Sequence, residues 1–136
     1  MPKFSKLSLS RLSTCHPDLQ VLANEVIKHI DIVILAGYRN QKDQDSAYNH
    51  GNSKLKFPAS KHNKSPSLAF DFAPWPINWH DTDRFYYFAG FILSTAVMLK
   101  AQGKITHSVR SGMDWDRDTQ VLDEKFKDLG HVELIT

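Results

Sequence analysis

The run Ser60-Lys61-His62-Asn63-Lys64-Ser65-Pro66-Ser67-Leu68-Ala69-Phe70-Asp71-Phe72 holds an imidazole and a carboxylate nine positions apart. Between them, Asn63 to Ser67 is turn-prone, because Asn, Ser and Pro all favour tight backbone reversals. The alternation of Leu68, Phe70 and Phe72 with Ala69, Asp71 and Ala73 then predicts a strand that turns Asp71 away from the bulky side chains. A loop running into a strand can bring two donors to one point, as a metal site requires. Zinc takes histidine nitrogen and aspartate oxygen at about 2.0–2.2 Å. A third donor is expected near the end of the chain, in Asp128-Leu129-Gly130-His131-Val132-Glu133-Leu134. There His131 opens a short apolar strand, with Asp128 three residues before it and Glu133 two residues beyond.

Upstream of this run, residues 1–13 read as an extended lead-in. His16-Pro17-Asp18 then starts a helix, with Pro17 at its favoured first position and Asp18 in the first turn. Leu19, Leu22, Ala23, Val26, Ile27 and Ile30 recur at three- and four-residue steps and give that helix a core-facing side. Ile32 to Ala36 is an aliphatic run that stops at Gly37 and reads as a buried strand. A polar-faced helix follows and closes near Gly51, with His50 at its end. Asn52 to Ser60 is a basic, polar loop, with Lys54, Lys56 and the neighbouring Lys61, of a kind that can carry substrate contacts but is more often simply solvated.

Downstream, the Pro- and Trp-rich segment Phe72 to His80 leads to a helix from about Thr82 to Ala101. That helix is apolar on most sides, so a central place in the core is expected. His80 is open as a fourth ligand or, preferably, as part of the helix start. Ile105 to Val109 alternates like a half-buried strand and puts His107 on its polar side, as a weaker alternative ligand. Asp114, Asp116 and Asp118, at two-residue steps, match the opening of a Ca²⁺ loop. Thr119 stands where an EF-hand has glycine and Lys125 where it has its bidentate Glu, with Asp123 or Glu124 as substitutes.

With 136 residues the chain is expected to form one domain, residues 1–136, around one core. Hydrophobic and charged fractions of 41% and 24% are ordinary for a globular protein. A net charge of +2, with no dense basic stripe, argues against a nucleic-acid partner. Cys15 is the single cysteine, which excludes an intrachain disulfide, and it reads as a structural thiol. No apolar stretch resembles a secretory signal, and the longest, Phe85 to Leu99, is too short to span a bilayer.

The sequence of motifs, Ser60-x-His62, Ala69-x-Asp71 and Asp128-x-x-His131-x-Glu133, resembles the zinc peptidases of the D-alanyl-D-alanine carboxypeptidase and L-alanyl-D-glutamate endopeptidase family, which includes small phage endolysins. The resemblance covers nearly the whole chain. It implies an α+β, hedgehog-like single domain with a small, mainly antiparallel sheet and packed helices. It also implies Zn²⁺ held by His62, Asp71 and His131, with one position left for water. Asp128 becomes the general base in preference to Glu133. Arg39, in Gly37-Tyr38-Arg39, is implied to bind a substrate carboxylate or the oxyanion. Ser60 is implied to orient His62 or touch substrate. Asp114-Trp115-Asp116 is similar to the family's Gly-Gly-Asp-Trp-Asp segment, which makes Trp115 a substrate contact, although Met113 departs from that pattern.

The implied activity is hydrolysis of a peptidoglycan stem bond, most of all L-alanyl-D-glutamate, by a monomer. Such a lysin is made in the host cytoplasm and reaches the wall with the help of a separate membrane-permeabilising protein. A D-alanyl-D-alanine carboxypeptidase and a non-catalytic, zinc-stabilised binding module are the alternatives, and a regulatory Ca²⁺ in the Asp114–Asp118 loop is a further expectation.

Overall fold

The computed structural model describes residues 2–136. The Phe70/Phe72 alternation forms β2 (Ala69–Pro74), an inner strand of a four-stranded sheet. Its neighbours are β1 (Ile32–Ala36) and β4 (His131–Leu134), and β3 (Val109–Ser111) lies outside β4. Every pairing in the order β1-β2-β4-β3 is antiparallel. Phe70, Phe72, Ile34, Val132 and Leu134 are fully buried, and each such side chain stabilises the fold by about 1.5–3 kcal/mol.

Two helices cover the sheet's apolar side. In α2 (Pro17–Val26), Leu19, Leu22, Ala23 and Val26 are buried, as their spacing requires. His16 caps it, its Nδ1 accepting the Asp18 N–H at 3.0 Å. Across from it, α4 (Thr82–Ala101) buries Phe85, Phe88, Ala89, Ile92, Ala96 and Leu99. Its opposite face is open, with Tyr87 71% and Val97 70% exposed. The expectation of a centrally buried helix is therefore corrected: among the described residues nothing packs on the outer face of α4. Between β1 and β2, the chain forms α3 (Gln41–Asn49) and a short 3-10 turn, Lys61–Asn63.

Two further expectations are corrected. The lead-in is not extended, since Lys6–Leu12 forms a helix, α1, capped by the Ser5 hydroxyl accepting the Ser8 N–H at 3.1 Å. It covers the free edge of β1: the Ile34 N–H donates to Ser8 Oγ at 3.1 Å, and Arg11 donates to the Ile34 carbonyl at 3.0 Å. An exposed strand edge invites pairing with other chains, and these two side chains occupy it. The strand expected at Ile105–Val109 starts only at Val109. The N–H groups of Thr106 and His107 instead donate to Asp18 Oδ2, at 3.0 and 3.1 Å, and so are withdrawn from any ladder.

Candidate active site

Asp71 and His131 are cross-strand partners in the β2–β4 pairing, so the sheet's register alone brings them face to face. His62 arrives from the 3-10 turn, whose start is fixed by Ser60: its hydroxyl accepts the His62 N–H at 3.2 Å, and Asn63 Oδ1 accepts the Ser60 N–H at 3.0 Å. The Arg39 N–H donates to the His62 carbonyl at 2.7 Å and ties the turn to the end of β1. As a result His62 Nε2 lies 3.1 Å from Asp71 Oδ1 and 3.2 Å from His131 Nδ1, and His131 Nδ1 lies 3.2 Å from Asp71 Oδ1.

The outer hydrogen bonds of the two rings decide what this triangle can hold. His62 Nδ1 faces the Gly37 carbonyl at 2.8 Å, and His131 Nε2 faces Glu133 Oε1 at 2.9 Å. Both partners only accept, so those nitrogens carry a ring proton, and once His131 gives up its second proton to an incoming cation the two rings offer lone pairs at His62 Nε2 and His131 Nδ1. Three donor atoms, the Asp71 oxygen included, then face one spot. A tetrahedral ion with donors at about 2.0–2.1 Å requires roughly 3.3 Å between donors, close to the separations found here. The residues fit a divalent cation.

The titration behaviour of the group has the same cause. Burial works against ionising Asp71, yet His62 and His131 hold its carboxyl well below the usual range. Burial also disfavours charge on His131, but the Asp71 and Glu133 carboxylates outweigh it and push the imidazole up to about 9. Glu133, 6% exposed, is held down to about 2 against its burial by His131 and Arg110. Arg110 donates to Glu133 Oε2 at 2.7 Å, and Lys61 stands 3.6 Å from the same oxygen. Arg39, Arg110 and Lys61 surround the centre and, with the imidazoles, keep both carboxylates ionised.

Asp128 stands beside it, with Oδ2 3.7 Å from His131 Nδ1. The two flank a turn closed by the His131 N–H donating to the Asp128 carbonyl at 3.2 Å. Gly112 braces that turn: its N–H donates to the His131 carbonyl and its carbonyl accepts the Asp128 N–H, both at 2.9 Å. A Cβ at Gly112 would lie 2.9 Å from the Cβ atoms of Asp128 and His131, so the site depends on the missing side chain. Burial, and then the charge of Asp71, raise Asp128 to about 6, against the opposing pull of His131, His62 and Arg39.

A cleft of about 400 Å³ opens over these groups, and Arg39, Ser60, Trp115 and Asp128 all line it. Arg39 donates to Asp71 Oδ2 at 3.3 Å and to Gln44 Oε1 at 3.1 Å, so it also steadies Asp71. The Trp115 ring lies 5.4 Å from that of His131 and 6.5 Å from that of Phe126, stacked on the latter at 10°. Met113, where the motif departs from the family pattern, points into the core and is 2% exposed.

His80 and His50 stay outside the site. The His80 N–H donates to Asn78 Oδ1 ahead of α4, and His50 ends α3. His107 is also remote, bound to Asp18 Oδ2 at 2.7 Å. The acidic loop does converge: Asp114, Asp116, Asp118 and Glu124 each bring one oxygen within 4.8 Å of the others. Asp114 Oδ1 is buried there without a hydrogen-bond partner, and Thr119, at the EF-hand glycine position, has a φ of 69°. Sequence reasoning missed Arg110, which carried no motif, and Gly37, whose carbonyl sets the His62 tautomer.

Fold and donor set together define the class: a small α+β domain with a metallopeptidase-type site. Residues 1–135 match the phage L-alanyl-D-glutamate peptidases, and the chain belongs to that family. It is similar in fold to the crystal structure of Serratia marcescens L-Ala D-Glu endopeptidase ChiX, with a TM-score of 0.68 and 21% identity over 98% of this chain and 90% of that one. No curated protein sequence matches the chain.

Proposed function

We propose that this protein is a zinc-dependent peptidoglycan peptidase of the phage endolysin type, which cuts the stem peptide at its L-alanyl-D-glutamate bond. The observation that carries this reading is the convergence of one carboxylate oxygen and two imidazole nitrogens beside a cleft that also holds Asp128. Family membership supplies the bond. His62, Asp71 and His131 would hold the ion, which when bound supplies Lewis acidity, polarising a carbonyl and lowering the pKa of water.

The chain's own groups do the rest. Asp128 takes the proton of the attacking water and passes it to the departing amine as the C–N bond breaks. Arg39, tied to Asp71 on one side and open to the cleft on the other, receives the negative charge developing on the carbonyl oxygen or a substrate carboxylate. Ser60 fixes the turn that aims His62, and Trp115 offers the peptide an apolar wall.

Ca²⁺ bound by Asp114, Asp116 and Asp118, with Glu124, belongs to the same proposal, supported by the unpartnered Asp114 oxygen. The protein acts as a monomer on the wall, after release past the membrane by another protein. Among the described residues no helix is long and apolar enough to cross a bilayer.

Digestion of purified Gram-negative sacculi, followed by mass spectrometry of the released muropeptides, tests the reading. The expected product is a stem fragment with a new amino terminus on D-glutamate, lost on chelation and restored by Zn²⁺. Release of a single terminal alanine would assign the carboxypeptidase reaction instead. Intact stems with and without zinc would leave only a binding module.

A further inference from the structure

Four cationic side chains line the cleft, and three are already matched inside the chain. Arg39 is bonded to Asp71, and Lys61 and Arg110 both face Glu133. Lys54 differs. Its ammonium sits 5.2 Å from the centre of the Phe126 ring, and among the described residues it forms no ion pair. Phe126 is stacked on Trp115, whose indole N–H donates to the Phe126 carbonyl at 2.8 Å, and Trp115 lies against His131. Lys54 is thus held on the cleft's aromatic wall, in contact with Phe126, which stacks on Trp115 beside His131.

From this we infer that Lys54 reads a carboxylate of the stem peptide that lies several bonds from the scissile amide. The inference rests on the function proposed above and assigns the site a preference within that substrate class. The Lys54 side chain is exposed, so an ammonium with no ion-pair partner is open to an incoming anion while the ring face holds it in place. Its flexible four-carbon stem suits a carboxylate whose position is not fixed by the reacting groups. Arg39, bonded to the metal-binding Asp71, is the cation placed for a carboxylate next to the scissile bond, and Lys54, in contact with Phe126 rather than with any of the metal-binding side chains, is placed for one farther along the peptide. The favoured substrate therefore carries a distal carboxylate on its third residue, as a diamino-dicarboxylic acid does, rather than a carboxamide or no such group.

The test uses the zinc-loaded protein and two soluble peptides containing L-alanyl-D-glutamate, identical except that the third residue's distal group is a carboxylate in one and a carboxamide in the other. The wild-type protein is expected to show a KM about fivefold lower for the acid, the scale of a single partly exposed ion pair. In Lys54→Gln that preference collapses towards unity, with the change in KM rather than kcat. Lys56→Gln removes the same charge from the same loop, but Lys56 lies over Tyr48 and does not line the cleft, so it keeps the preference. Added salt reduces the wild-type preference and leaves Lys54→Gln unaffected. An undiminished preference in Lys54→Gln, or an equal loss in Lys56→Gln, overturns the role of Lys54 alone. Failure of the wild-type protein to cut either peptide overturns the peptidase reading, and the role of Lys54 with it.

Discussion

Two places in this molecule gather two histidines and one aspartate within reach of a common ion: His62, Asp71 and His131 in the cleft, and His16, Asp18 and His107 where α2 meets the loop before β3. By composition they are the same. Hydrogen-bond direction separates them. In the cleft each ring gives a proton outward, to the Gly37 carbonyl or Glu133, and the inward nitrogens meet only each other and Asp71 Oδ1. In the second group His16 Nδ1 already accepts the Asp18 N–H. Asp18 Oδ2 accepts from Thr106 N–H, Thr106 Oγ1, His107 N–H and His107 Nδ1, between 2.7 and 3.1 Å. One group keeps a carboxylate oxygen and two ring nitrogens facing a common point, whereas in the other the carboxylate oxygen is filled by donors of the chain itself. Convergent donors make a metal site only when their own protons are held elsewhere.

The largest effect that could break this contrast comes from the ligands. His62→Ala is expected to abolish both zinc retention and peptide hydrolysis, while His107→Ala leaves the metal content at a single equivalent. Elemental analysis after gel filtration reads both variants, and a second equivalent of zinc in the wild-type protein, lost in His107→Ala, would erase the distinction. Next, Asp128→Asn keeps the ion but loses the proton carrier. Turnover should fall by about 10²–10⁴-fold with zinc stoichiometry unchanged. A variant that still turns over normally would move the general base elsewhere. Smaller again is Glu133→Gln, which weakens the acceptor that fixes the His131 tautomer. Zinc affinity, measured by competition with a chelator, should drop by about 10–100-fold, and an unaltered affinity would show that the ring's orientation does not depend on Glu133.

The same contrast explains what could be read from residues in a row. β1, α4 and β4 declare themselves locally, through a continuous aliphatic run, a long apolar stretch closed by Gly103 and a short apolar strand opened by His131, and their observed bounds follow those patterns. α1 is hidden because its buried positions are Ser8 and Leu12, which leave no apolar periodicity to detect. The strand expected at Ile105 was misplaced because its competitor, Asp18, lies 88 positions away in sequence from Thr106. For the site, His62 and Asp71 were visible from loop-then-strand spacing, and the pairing of Asp71 with His131 needs only the β2–β4 register. The protons were not visible. They depend on Gly37, 25 residues from His62, and on the charge set around Glu133 by Arg110, 23 residues from it. Residue types can thus be listed in order along a chain, but the direction of a hydrogen bond belongs to the folded molecule.

The self-satisfied group has a measurable consequence for stability. Burial opposes ionisation of Asp18, but the donors from His107 and Thr106 prevail and hold its pKa at about 2, below the ordinary 3.8. A carboxyl depressed in the folded state binds its proton more weakly there than in the unfolded chain. Its contribution is therefore complete above the unfolded value and is lost as the pH falls through the folded one. Asp18→Asn keeps the shape but removes the charge, and should cost about 2 kcal/mol at pH 7, the range for hydrogen bonds to a charged acceptor. Since only the wild-type protein can lose that charge, the gap in urea midpoint between the two should narrow as the pH is lowered from 5 towards 2. Parallel curves across this interval would mean that the four donors hold the loop without regard to charge, and that the difference between the two clusters is one of geometry alone.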